Sequence, residues 1–245
     1  MLIAAGESFA GCFLRKEINM VIIEQFLTSS EVTSFRQQLQ HANWADGKKS
    51  AQGMAADVKN NTQADSNDPK VKALANHLLA KMGSHNQLVG AALPHKIFPP
   101  CFNRYAEQET YGYHVDAAIM RLPNSQSVMR SDVSMTVFLS EKDEYEGGEL
   151  TIATDFGTQT VKLNAGDAVV YPSSSLHRVT PVTKGTRLAA ICWIQSLIAD
   201  SNLRKTLYEL DQTIQSLAAQ KNVNRKELDQ LHHVYHNLIR QFSQV

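Results

Sequence analysis

Cysteine is scarce in this chain, and no apolar run is long enough to span a bilayer. The three cysteines, Cys12, Cys101 and Cys192, are odd in number, far apart and in no C-x-x-C arrangement. That argues against a disulfide framework and against a thiolate zinc site, and it suits a reducing cytoplasm. No stretch reaches the roughly 18 to 20 apolar residues of a membrane-spanning helix, so no membrane partner is expected. Neither sign of charge is in excess: 24 basic residues face 24 acidic ones. No net field therefore draws the chain to nucleic acid or to an anionic surface. Internal repeats and low-complexity tracts are lacking too. At 245 residues, the chain suits one medium-sized domain with appendages.

What is present divides into four stretches. Residues 1–19 carry Glu7 inside an apolar stretch, with the positive charges following it. That order is wrong for a secretory signal, and a disordered extension or an early start is expected there. Residues 20–90 read as a strand over Met20–Leu27 and two supporting helices. The first opens on the capping box Thr28-x-x-Glu31 and repeats Val32, Phe35 and Leu39 to about His41. The second opens on Asp68-Pro69 and repeats Val71, Leu74, Leu78 and Met82. Between them, residues 46–67 are polar and read as a long surface loop. Residues 91–198 change character to short β-rich runs: HKIFPPCFNRYA, DVSMTVFLSE, GELTIAT, QTVKLN, DAVVYPS, HRVTPV and RLAAICWIQS. Turn signals such as Gly147-Gly148 and Asn164-Ala165-Gly166 separate them, which predicts a jelly roll with DAVVYPS as an inner strand. Residues 199–245 return to helical spacing with Leu203, Leu207, Leu210, Ile214 and Leu217. After a break near 222–224 the stripe resumes with Leu228, Leu231, Leu238 and Phe242, predicting a helical hairpin. The hairpin is expected to pack on the β domain, with a homo-oligomer interface as the alternative. The expected fold is therefore mainly β with flanking helices.

The chemistry concentrates in His114-Val115-Asp116. Residues i and i+2 of a strand share a face, so both side chains can reach one metal. His177 follows at the head of a later strand. Two imidazoles and one carboxylate leave three open positions on an octahedral ion, the arrangement of non-haem iron(II) oxygenases. Arg187, placed in the next strand, offers a two-pronged donor to a carboxylate. Tyr105 lies on the strand before His114 and can donate to the same carboxylate; its ordinary alternative is barrel packing. Gly147-Gly148 permits the close turn ahead of the second histidine. His232, His233 and His236 place an i, i+4 pair on the terminal helix but lack a third ligand, so a polar helix face is expected. Arg121, Arg130 and Asp132 flank the site, where contact with substrate and salt bridging are equally open.

Taken together, FNRYAEQETYGYHVDAAIM, RSDVSMTVFLSE, YEGGELTI, GDAVVYPSSSLHRVTPVTKGTR and AAICWIQS resemble the iron(II)- and 2-oxoglutarate-dependent dioxygenases. The resemblance is specifically to the bacterial PKHD-type hydroxylases related to the prolyl 4-hydroxylase catalytic subunit, and it covers Met20 to the C terminus. It implies a double-stranded β-helix, Fe(II) on His114, Asp116 and His177, and 2-oxoglutarate on Arg187 with help from Tyr105. Trp193 matches an aromatic position lining the cosubstrate pocket. The resemblance further implies O₂ and an organic substrate as partners, L-ascorbate as an additional cofactor, and a link to iron uptake. The competing readings are a jelly-roll metal sensor without catalysis, and an interaction protein that recruits a partner through its helical hairpin. Arg187 weighs against the sensor, which has no need of a diacid anchor.

Overall fold

The computed structural model describes residues 20–51, 53–154 and 157–245; the extension expected at 1–19 lies outside them. The chain begins with β1 (Val21–Ile23), α1 (Ser29–Gln40), β2 (Trp44–Asp46), a 3-10 turn at Gly47–Ser50, α2 (Met54–Asp57), β3 (Lys59–Asn60) and β4 (Thr62–Ala64). Two helices follow, α3 (Pro69–Ser84) and α4 (Asn86–Ala92). Next come β5 (Pro94–Ile97), β6 (Cys101–Tyr105), β7 (Thr110–His114), β8 (Ile119–Arg121), β9 (Val128–Arg130) and β10 (Val133–Phe138). The later strands are β11 (Tyr145–Gly147), β12 (Leu150–Thr154), β13 (Gly157–Val161), β14 (Ala168–Pro172), β15 (His177–Val179), β16 (Val182–Gly185) and β17 (Arg187–Ser196). Helices α5 (Ser201–Ala218) and α6 (Arg225–Phe242) complete the fold, and no described helix is long and apolar enough to cross a membrane.

Two antiparallel sheets form the core. The larger has the order β1-β14-β10-β17-β6-β4-β2 with β5 also on β17, and the smaller has the order β13-β12-β15-β7-β3. Period-2 alternation assigns their faces. On β17, Leu188, Ala190, Cys192 and Ile194 pack outward against Phe35 and Leu39 of α1 and Leu78 and Met82 of α3. Arg187, Ala189, Ile191 and Trp193 therefore point inward. Phe138, Val169 and Tyr171 of the larger sheet meet Leu150, Ile152 and Val161 of the smaller one, so the sheets pack face to face as the expected jelly roll. The DAVVYPS strand, β14, is an inner one, between β1 and β10. Gly147 has φ +70°, and a Cβ there would fall 2.1 Å from the Pro181 carbonyl oxygen. Glycine is thus what lets β11 lie against β16.

The structure departs from the sequence reading in three places. Residues 46–67 are not a surface loop: β3 pairs with β7 of the smaller sheet, while β4 pairs with β6 and β2 of the larger. Their polar residues mimic a loop, yet Lys59 and Asn61 are buried between the sheets. Two predicted strands are each split by proline, which has no N–H to give a ladder. The breaks fall at Pro99-Pro100 between β5 and β6, and at Pro181 between β15 and β16. Finally, α4 was not foreseen, and it is α4 that meets α5 of the C-terminal hairpin. The hairpin has its own apolar cluster of Leu93, Ile198, Leu207, Ile214, Leu228 and Tyr235, separate from the barrel cores.

The capping box at α1 forms as read, with Glu31 bonded to the Thr28 amide and Thr28 to the Glu31 amide. Burial pushes the Glu31 carboxyl up, but Lys81, Thr28 and His77 outweigh it and hold it at about 2. Stability from a depressed carboxyl is complete above its unfolded value near 4.5 and fades as the pH falls through its folded value. Glu31→Gln is therefore expected to cost about 1 to 2 kcal/mol at neutral pH. In thermal unfolding followed against pH, the gap from wild type should close at about pH 2 to 3.

Candidate active site

Strands β7 and β15 build the site. They are antiparallel neighbours in the smaller sheet with His177 directly opposite His114, and the two ring centroids are 4.2 Å apart. Asp116 joins them with its Oδ2 3.8 Å from His177 Nε2. One ligand atom from each of the three lies within 4.8 Å of the others, the one such group of three among the described residues. Asp116 is not on the strand, as the i, i+2 argument required: β7 ends at His114. The carboxylate comes from the irregular segment beyond, held by a hydrogen bond from Ser134 Oγ to Asp116 Oδ2 of 2.5 Å.

Each imidazole is fixed in the same way. His114 Nδ1 lies 2.8 Å from the Gly112 carbonyl and His177 Nδ1 lies 2.9 Å from the Ser175 carbonyl. A carbonyl only accepts, so each Nδ1 carries a proton, and Nε2 is left as the atom that holds the lone pair in the neutral ring, the tautomer a metal requires. Tyr111 stacks on His114 at 3.5 Å, and Tyr171 meets His177 edge-on at 5.3 Å. Burial, then the charge of the neighbouring His177, lower the His114 pKa to about 4. Its ring is therefore neutral and ready to ligate across the physiological range. Gly112 is indispensable here, because a Cβ would sit 2.8 Å from Val58 Cβ, where α2 closes on β7.

The larger sheet supplies the opposite wall. Arg187 opens β17 opposite Tyr105 of β6, so it lies in the facing sheet, one strand later than the sequence suggested. It is 1 % exposed, and its Nε and Nη1 have no hydrogen-bond partner. The guanidinium lies 5.2 Å from the Tyr105 ring and 5.4 Å from the Phe138 ring. The hydroxyls of Tyr105 and Tyr145 and the indole N–H of Trp193 are also buried without a well-formed hydrogen bond, with Asn61 near the first hydroxyl and Arg187 near the second. Burial raises the Tyr105 hydroxyl to about 12 despite Arg187 beside it, so it remains a neutral donor. Buried donors without acceptors are costly. Arg187 and Tyr105, side by side, fit an anion such as a carboxylate.

Other residues of the site had escaped the sequence reading. Ser134 and Thr136 alternate with Val133, Met135 and Val137 in DVSMTVFL, a period-2 pattern that marks a polar inward face. Asn61 and Asn103 are 3 % exposed with unpartnered amide atoms; nothing in their neighbourhood in the sequence marks them. Lys59 is 5 % exposed, donates to Ser50 Oγ at 2.8 Å and lies 5.2 Å from the Tyr111 ring. Burial lowers its pKa, while Cys101, Asp116 and Asp46 pull it up. Of the flanking residues, Arg130 and Asp132 form a two-pronged pair at 2.6 and 3.0 Å, and Arg121 bonds Gln126. His232 and His236 stack at 6.2 Å on α6, and among the described residues no third ligand joins them.

Comparison with known proteins agrees with this geometry. Residues 100–195 match the 2OG-Fe(II) oxygenase superfamily, and residues 201–244 match the PKHD-type hydroxylase C-terminal domain. A PKHD-type hydroxylase of Shewanella frigidimarina is 65 % identical over 92 % of this chain and all of its own length. One from Teredinibacter turnerae is 48 % identical over 91 % of this chain and 99 % of its own. Among solved structures, a Trichoplax adhaerens prolyl hydroxylase bound to a hypoxia-inducible-factor peptide has a TM-score of 0.50 at 15 % identity, covering 77 % of this chain and 86 % of its own. The non-haem alpha-ketoglutarate-dependent epimerase SnoN of nogalamycin biosynthesis has a TM-score of 0.51 at 14 % identity, covering 74 % and 77 %. Fold and sequence together define an iron(II)- and 2-oxoglutarate-dependent dioxygenase. Within that class, the chain belongs to the PKHD-type hydroxylases.

The unpartnered Tyr105 hydroxyl generates a direct test. Removing a buried hydroxyl that has no bond leaves stability unchanged or raises it. Tyr105→Phe is expected to hold or raise the Tm of the ligand-free protein, whereas a loss above about 1 kcal/mol in thermal unfolding would show that the hydroxyl is bonded.

Proposed function

We propose that His114, Asp116 and His177 hold ferrous iron and that Arg187, assisted by Tyr105, holds the distal carboxylate of 2-oxoglutarate, for hydroxylation of an organic substrate. The observation that carries this reading is the buried, unpartnered Arg187 guanidinium within the same barrel as a convergent two-histidine, one-carboxylate set. Both groups fit the residues present. The Nε2 atoms are bare because Nδ1 is engaged, and a carboxylate answers the unused donors of Arg187 and Tyr105. When bound, iron and 2-oxoglutarate supply oxygen activation, with 2-oxoglutarate and O₂ converted to succinate and CO₂ as one oxygen atom enters a substrate C–H bond.

The protein's own contribution is orientation and exclusion. Backbone carbonyls fix both imidazoles, and Ser134 fixes the carboxylate. Arg187 sets the depth at which the cosubstrate sits, and Trp193, half-buried on the same face of β17, lines its pocket. Tyr171 meets His177 and packs with Phe138 and Ile152, an apolar backing that supports exclusion of water from the ligand set. Around the opening, Tyr113, Val115 and Leu176, each adjacent to a ligand, are exposed apolar residues, which supports a substrate that presents an apolar surface, whether peptidyl or a small molecule. The unpaired thiols of Cys101 and Cys192 support a reducing, cytoplasmic setting, where L-ascorbate can keep the iron ferrous.

Anaerobic titration of the protein with Fe(II) and 2-oxoglutarate is expected to give a weak visible charge-transfer band. His177→Ala and Asp116→Ala should abolish it through loss of iron. Arg187→Met should instead leave iron binding intact and weaken 2-oxoglutarate binding about 100-fold, on the order of 3 kcal/mol. With O₂ and cell extract, mass spectrometry should find a product heavier by one oxygen atom that His177→Ala does not make. Iron bound without the band would overturn the reading.

A further inference from the structure

Asp116 lies beyond the end of β7, so no strand ladder holds the segment that carries it. Its anchors come from one short stretch. Ser131 N–H donates to the Ala118 carbonyl at 2.9 Å, and Ser131 Oγ donates to the Ala117 carbonyl. Ser134 Oγ donates to Asp116 itself. The one Ser134 hydroxyl proton is thereby committed to Asp116 Oδ2. The 2.7 Å contact between Ser134 and Ser173 then runs one way, with Ser173 donating to Ser134.

The same stretch is gripped from the other side by the C-terminal module. Arg204, in the first turns of α5 and 5 % exposed, spreads its guanidinium over three carbonyls. These are Ile198 at 2.6 Å, Ala199 at 3.3 Å and Asp132 at 3.3 Å. The Asp132 carboxylate takes both prongs of Arg130 and the Ser196 amide at 2.9 Å. Arg130 continues to Gln244 Oε1 at 2.9 Å, and the Gln244 amide bonds the Leu197 carbonyl at 2.8 Å. The Asp132 carbonyl also accepts from the Ser173 amide at 3.1 Å, which closes the circuit on the serine pair behind Asp116. The first turns of α5 and the residues after α6 thus converge on positions 130–132. The hairpin's apolar cluster is separate from the barrel cores, and beside the packing of α5 on α4 this polar hub ties it to the site.

We propose that the C-terminal helical hairpin positions the metal-facing carboxylate of Asp116, with Arg204 and Asp132 acting through Ser131, Ser134 and Ser173. This rests on the reading of His114, Asp116 and His177 as the iron site. Asp132 and Arg204 are positioning residues, since neither touches the ligand set. A fork over three carbonyls cannot be reproduced by an ammonium, so Arg204→Lys keeps the charge and loses the grip.

The test uses the full-length protein in wild-type, Ser134→Ala, Ser134→Thr, Arg204→Lys and Gln244→Ala forms, with the double variant Ser134→Ala/Arg204→Lys. Four quantities are read: Fe(II) dissociation constant, succinate formed per product hydroxylated, Tm, and hydrogen exchange over residues 115–134. Loss of a supporting hydrogen bond behind a ligand weakens metal binding about 10-fold or more. Ser134→Ala should do so, Ser134→Thr should restore it, and Arg204→Lys should follow in the same direction with more succinate per product. The double variant should be little weaker than the worse single, because both break one chain of contacts. Gln244→Ala removes an exposed contact and serves if Arg204→Lys does not fold; it should speed exchange over 115–134. A lower Tm for Arg204→Lys or Gln244→Ala, with iron affinity, coupling and exchange as in wild type, would overturn the proposal, as would full additivity. Failure of the wild type to bind iron would sink the iron assignment instead, and exchange over 115–134 would still decide whether the hairpin holds that segment.

Discussion

The pairing of β15 with β7 puts His177 opposite His114, and most of the nearby structure keeps those two rings buried and aimed. Two imidazoles this close repel each other if both are charged, so burial and proximity work together to keep His114 unprotonated. Each ring then gives its one N–H to the carbonyl two residues earlier in the chain. Aiming is thus done by the backbone of each histidine's own strand or turn, and not by a neighbouring side chain. The carboxylate is different: its support is a chain of serines reaching in from the other sheet.

Much of this was legible from residues alone. The capping box, the proline-started helix, the β17 strand and the hairpin break all follow from local rules whose range is a few residues. The convergent His114, Asp116 and His177 group was legible for a related reason: His114 and Asp116 lie two residues apart, and His177 heads its own strand. What was not legible is whatever depends on partners distant in the chain. Residues 46–67 look like solvent-facing polar sequence because Lys59 and Asn61 are polar, and only the sheets on either side make them interior. Asp116 looked like a strand residue because alternation says nothing about where a strand stops. Ser134 shows only the period-2 alternation of its strand, and its importance comes from an acceptor 18 positions away.

The comparisons separate what the fold decides from what the site decides. A prolyl hydroxylase and an epimerase share this architecture at 15 % and 14 % identity, so the two-sheet barrel by itself selects neither substrate nor outcome. What distinguishes the present chain must reside in the rim around the ligands and in the module that follows β17. The curated relatives carry both, since the match extends over essentially their whole length.

The β3–β4 segment gives this barrel a seam. One short strand is stitched to each sheet, and the bonds from Gly47 N–H to the Asn61 carbonyl and from Gly112 N–H to the Val58 carbonyl tie off both ends of the stretch between them. Apart from the half-buried alanines 51, 55 and 56, the described residues inside those knots are exposed. Ser50 apart, whose Oγ takes the Lys59 ammonium, side chains there can be exchanged without unpicking the sheets, so this surface and the chemistry behind it are free to diversify at different rates.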